Sequence, residues 1–139
     1  MNLEDLSQLR SPMIDLDSLY GERPEIEKDR LYESDKVRMK VGITLLSNWL
    51  KDPPLDLPRA GMTAIRPRQA LLGDPRNDEN LPTAQTHVAF LNFHNKVADW
   101  LDAVNARKNR APATFADVSR EVIRHFQWII LKDYLPRFI

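Results

Sequence analysis

The 139 residues include no cysteine. That excludes disulfides, thiolate zinc sites and a thiol nucleophile, and it leaves the redox compartment open. Glycine is scarce too, with four residues and no cluster among them, so no glycine-rich loop is available to cradle a phosphate. Charge of one sign is missing: Lys and Arg number 20, Asp and Glu number 20, and no net positive field draws the chain to nucleic acid or anionic lipid. No apolar run reaches membrane-spanning length, and Glu4 and Asp5 stand where a secretory leader needs a basic segment and then an apolar one. The expectation is a soluble chain of unassigned compartment. With 42% hydrophobic residues it can attempt one core, and one domain is the limit.

What is present divides at about residue 80. Six of the 10 prolines (Pro53, Pro54, Pro58, Pro67, Pro75, Pro82) fall between Lys51 and Pro82, and no long helix runs through them. From Leu81 the pattern changes. Val88, Leu91, Val97, Trp100, Leu101 and Val104 recur at spacings of three and four, which predicts a helix ending near Asn105 with these residues on its buried face. Thr114 with Asp117 three residues on is a capping signal for a second helix. Its buried stripe is Phe115, Val118, Val122, Phe126, Ile129 and Ile130, and Pro136 closes it. Upstream, Val41, Leu45, Leu46 and Trp49 predict a shorter helix over Val37 to Leu50, with Asp35 as its acidic start. Strand-like alternation of useful length, repeats and low-complexity tracts are absent. The fold class is mainly α, with residues 1–80 loop-rich and residues 81–139 carrying two long amphipathic helices.

Two segments carry candidate chemistry. In the stretch from Ser11 to Gly21 the oxygen-bearing side chains Ser11, Asp15 and Asp17 recur at even spacings, so in an extended loop they converge on a hard cation such as calcium, with the Met13 carbonyl as a further ligand. The alternative is that Asp15 or Asp17 caps a short helical turn over Ser18 to Tyr20. The second segment is Gly73-Asp74-Pro75-Arg76-Asn77-Asp78-Glu79-Asn80. It places Arg76 just before a helix N-terminus, with Asp78, Glu79 and Asn80 in the first turn, where the dipole favours acids. Arg76 then either pairs with a neighbouring acid at the surface or points into a pocket as a fixed cation that stabilises negative charge on a bound oxygen species. His87, His94 and His125 show no metal-ligand spacing and read as hydrogen-bonded packing residues.

Ser11 to Gly21, Gly73 to Asn80, Phe90-Leu91-Asn92-Phe93-His94-Asn95 and Tyr134-Leu135-Pro136, in that order and spacing, resemble the peroxidase–cyclooxygenase superfamily of animal-type haem peroxidases in its bacterial branch. The resemblance covers nearly the whole chain. It implies a mainly helical fold around a b-type haem, and hydrogen-peroxide reduction coupled to oxidation of an organic or halide donor. By that likeness Arg76 matches the distal arginine, and Glu79 matches the position at which some members form an ester to a haem methyl group. Ser11, Met13 through its carbonyl, Asp15 and Asp17 match a calcium loop. Phe90 to Asn95 and Tyr134 to Pro136 match scaffold. The family's distal histidine lies upstream of the calcium loop and its proximal histidine downstream of Tyr134-Leu135-Pro136, so the chain is expected to be an internal piece. Catalysis then needs a complementary polypeptide or the rest of a longer gene. Without one the chain is an inactive peroxidase-like fragment or a helical binding module that self-associates through uncovered apolar stripes.

Overall fold

The computed structural model describes residues 13–22, 24–27, 30–44, 51, 54–60 and 69–139. It is mainly helical, as expected. Two single-turn helices, α1 (Asp17–Tyr20) and α2 (Pro24–Glu27), precede a two-stranded antiparallel ribbon of β1 (Gly42–Ile43) and β2 (Leu55–Asp56). A tight 3-10 turn, Pro75–Asp78, leads into α3 (Leu81–Arg107) and then α4 (Phe115–Ile129).

The two long helices form where the periodicity predicts them, and their starts are chemically defined. Asn80 caps α3 by accepting from the Thr83 N–H at 3.0 Å, with Pro82 in the first turn where its missing N–H costs nothing. Thr114 and Asp117 close a reciprocal capping box at the start of α4. The helices pack on each other and on the preceding loops, burying Leu91, Val97, Ala98, Val118 and Val122 with Leu19, Tyr20, Leu31, Tyr32 and Met39. A smaller apolar group, Leu57, Leu72, Ala84 and Val88, lies under the β2 side of α3.

Four expectations are corrected. The first is the helix expected over Val37 to Leu50. Residues 37–38 lie in a bend and residues 39–44 are non-helical, with Met39 bridged to Tyr32 and then strand β1, while residues 45–50 lie outside the described ones. The physical cause is Asn95 on α3. Its side-chain amide accepts the Met39 N–H and donates to the Met39 carbonyl, both at 2.8 Å, as a neighbouring strand would. Asp35 caps a turn there by accepting from Val37 and Arg38 N–H groups.

The second correction is that Asp78, Glu79 and Asn80 precede the first turn of α3, because Asn80 is itself the cap. Asp78 is instead held by Arg59 through two 2.8 Å hydrogen bonds. The third is that Trp100, placed on the buried face by its spacing, is 57% exposed, since α4 covers a different sector of α3. The fourth concerns the end of α4. Ile129 is exposed, and the chain continues beyond it through a wide π-type turn (Ile130–Tyr134) into a tight turn holding Pro136. Leu131, Tyr134, Leu135 and Phe138 are exposed with it, an apolar surface consistent with the expected uncovered stripe.

Candidate functional site

The acidic loop and the arginine motif, more than fifty residues apart in sequence, meet through two glycines. Gly21 ends α1 with φ +64°, a left-handed conformation that glycine adopts without strain, and its N–H closes the helix on the Asp17 carbonyl at 2.9 Å. Gly73 lies against it so closely that a β-carbon on Gly73 would stand 2.7 Å from the Gly21 nitrogen and 3.0 Å from the Ser18 carbonyl oxygen. All of these neighbours are backbone and cannot swing aside. Gly73→Ala is therefore expected to push the two loops apart and to lower the unfolding free energy by about 1–3 kcal/mol, read as a shifted urea midpoint with an unchanged slope.

Behind this contact the motif folds on its own acid. Asp74 is buried, caps the 3-10 turn by accepting the Arg76 N–H at 3.0 Å, and takes the Arg76 side chain as well. Arg76 Nη2 donates to Oδ2 at 2.7 Å, and Nε lies 3.1 Å from both carboxylate oxygens. The guanidinium is held on its Nε edge, and Nη1 has no partner among the described residues. Arg76 is 69% exposed at its side chain. Its hydrogen bond to Asp74, followed by the Coulombic attraction of the same carboxylate, pushes its pKa above the ordinary arginine value. Asp17 and Glu79 add to this, so the acidic loop, the arginine and Glu79 share one face. Glu79 is exposed on the residue that ends the turn.

Asn77, which the motif reading passed over, joins three elements. Its Nδ2 donates to the Ser18 carbonyl at 3.4 Å and to His87 Nδ1 at 2.9 Å. His87 is buried on α3, and burial pushes its imidazole down to about 4 against a smaller opposing pull from Asp74. His94 is fully buried with both nitrogens used. Nδ1 accepts from the Tyr20 hydroxyl at 3.1 Å and Nε2 donates to the Val37 carbonyl at 2.8 Å. His125 is exposed on α4, its Nδ1 donating to the Glu121 carbonyl at 2.8 Å, in a groove with Phe93 and Trp100.

The calcium candidates are brought together only in part. Ser11 lies outside the described residues, Met13 is exposed, and the Asp15 carboxylate accepts the Asp17 N–H at 3.4 Å, while the cap of α1 is Leu16 and no side chain caps it. Among the described residues no group of three His, Asp or Glu side chains converges as a metal site. A sequence signal for Asp74 exists, since Asx-Pro is a turn-starting pair. None exists for Asn77, whose partners lie on other elements.

Residues 4–139, nearly the whole chain, match the family model described as animal haem peroxidase. The chain belongs to that family. Thyroid peroxidase from Homo sapiens is 28% identical over 137 residues, covering 91% of this chain. The chain spans only 14% of that relative's length. No solved structure matches it. Among the described residues no helix is long and apolar enough to cross a membrane.

A haem peroxidase needs an iron ligand and polar groups at the haem face. Of the three imidazoles, His94 has no free nitrogen and His87 bears its proton on Nε2, because Nδ1 accepts from Asn77. Only His125 keeps an unshared Nε2 lone pair, and it lies in the Phe93 and Trp100 groove rather than in the arginine turn. Polar contacts to a haem therefore fit the arginine turn, and axial ligation does not.

Proposed function

We propose that this chain supplies the peroxide-activating arginine segment of a haem peroxidase, which reduces hydrogen peroxide and oxidises an organic or halide donor. The observation that carries the reading is the Arg76 guanidinium, anchored on one edge by buried Asp74 with Nη1 left free at the surface. A cation fixed in this way needs no reorganisation to meet negative charge, and a donor so arranged favours O–O cleavage by stabilising the departing oxygen. The haem, when bound, supplies the electrons for that cleavage. Arg76 stays protonated at all relevant pH, so it acts as a hydrogen-bond donor and not as a proton shuttle.

Proton transfer and iron ligation fall to histidines outside these residues, on a longer chain of which this is a piece or on a neighbouring polypeptide, because none of the three local imidazoles stands free beside Arg76. Glu79, on the same face, is the candidate contact to a haem edge, whether ionic or through an ester. The same reading takes Ser11, Asp15, Asp17 and the Met13 carbonyl as calcium ligands completed by an acid from another segment. Its support is the even spacing of oxygen-bearing side chains in the sequence. The second reading, a catalytically inactive peroxidase-like segment that associates through its apolar surface, is favoured by the exposed Trp128, Leu131, Leu135 and Phe138.

A haem titration of the chain, read in the Soret region with exogenous imidazole as surrogate ligand and with and without calcium, separates the two. Expected is a saturable spectrum whose peroxide turnover falls about 100-fold or more in Arg76→Ala with haem affinity little changed. Equal turnover in the variant removes the catalytic role of Arg76. A Soret band that does not saturate at stoichiometric haem supports the second reading.

A further inference from the structure

A cleft lies beside α1 and the start of α3. It encloses about 340 Å³ between Leu16 and Leu19 on one side and Phe90 and Phe126 on the other, with Thr86 exposed at its rim and His87 among its lining residues. That volume is near the lower end for ligand sites and suits a single substituted ring.

His87 is only 6% exposed, and Nε2, which carries the proton, has no partner among the described residues. No buried side-chain nitrogen or oxygen among the described residues is both sealed off and unpaired, so Nε2 keeps an opening, and the cleft is the space His87 lines. A donor that opens into an apolar-walled cleft is met by a molecule that brings one acceptor and displaces the water there. The Asn77 amide fixes this orientation, because its Nδ2 donates both to His87 Nδ1 and to the Ser18 carbonyl.

The surroundings select the rest of the ligand. Buried Asp74 exerts its field on His87, which opposes an anion and leaves a neutral acceptor as the better match. Phe90 and Phe126 meet edge to face at 5.5 Å and 89°, an arrangement that a further ring can extend in the same geometry.

We propose that this cleft is a binding site for a small uncharged aromatic molecule with one hydrogen-bond acceptor, which takes the His87 Nε2–H while its ring lies against Phe90 and Phe126. The ring is desolvated by the apolar walls, and the acceptor fixes its depth.

The test titrates benzamide into the full chain and follows the His87 ring by long-range proton–nitrogen NMR. Expected is a saturable shift at His87 Nε2 with accompanying changes at Phe90 and Phe126, and about tenfold weaker binding of both benzoate and cyclohexanecarboxamide. His87→Phe should abolish specific binding. Because that variant changes a buried residue, Thr86→Trp at the exposed rim is the second arm. It should block the cleft and remove the shift while leaving the circular dichroism melt unchanged. The proposal is overturned by a His87 signal that does not respond to benzamide, by equal binding in Thr86→Trp, or by benzoate binding as tightly as benzamide. A probe-free His87 shift that tracks protein concentration and sedimentation also overturns it, since a second copy then fills the cleft.

Discussion

Replacing His94, on the buried face of α3, by alanine is expected to lower the unfolding free energy by about 3–5 kcal/mol. Three losses combine. The side chain is fully buried, so truncation leaves a cavity that the packed faces of Tyr20 and Phe115 close only partly. The Tyr20 hydroxyl loses its acceptor, and the Val37 carbonyl loses its donor. Both belong to segments that have little regular structure of their own, so α1 and the 37–44 segment lose one of their ties to α3. Urea denaturation of the two proteins at neutral pH checks this. A change below about 1 kcal/mol would mean that the network contributes nothing beyond its volume.

Acidification is the second large effect. Burial pushes His87 down to about 4 from the ordinary 6.5, and burial also lowers His94 despite its bond to the Val37 carbonyl. A buried base of depressed pKa is neutral in the folded chain and takes up a proton on unfolding. The unfolded state thus binds more protons between pH 6.5 and about 4. Stability is complete above 6.5, declines as the pH falls through that window, and His87 alone accounts for a loss of about 3 kcal/mol at its lower end.

The carboxylates contribute in a different range. Asp78 is held below the usual value by its bond to Arg59, and Asp102 by the Ala113 N–H and then Arg38. Their stabilisation persists down to about 3.8 and is lost only below it. Unfolding free energies measured from neutral pH to about pH 4.5 should therefore fall steadily, and His87→Phe should flatten much of that slope. A wild-type slope near zero above pH 4.5 would contradict the burial of both imidazoles.

The helical half was readable because its causes are local. Thr114 and Asp117 lie three residues apart and cap the same turn that they predict, and the spacing of Val88, Leu91 and Val97 creates one buried face whatever packs on it. Trp100 shows where the reading stops. Periodicity tells which residues share a sector, but the width of the covered sector depends on where α4 lies. The segment 37–44 fails as a helix for the same kind of reason. Its apolar spacing is compatible with one, yet Asn95, on a helix fifty-six residues later, offers its Met39 backbone the hydrogen bonds of a strand.

In the candidate site the sequence by itself determined the family, through four motifs in order, and the presence of an arginine in a turn before a helix. Which acid holds that arginine was decided by tertiary structure: Asp74 is buried by the loops around it and turns its carboxylate onto Nε and Nη2. The meeting of Gly21 with Gly73 and the Asn77 bridge to Ser18 and His87 were likewise decided there. Hydrogen bonds and backbone approaches between distant segments leave no period or spacing in a sequence. They exist only once the apolar faces of α3 and α4 have brought those segments together.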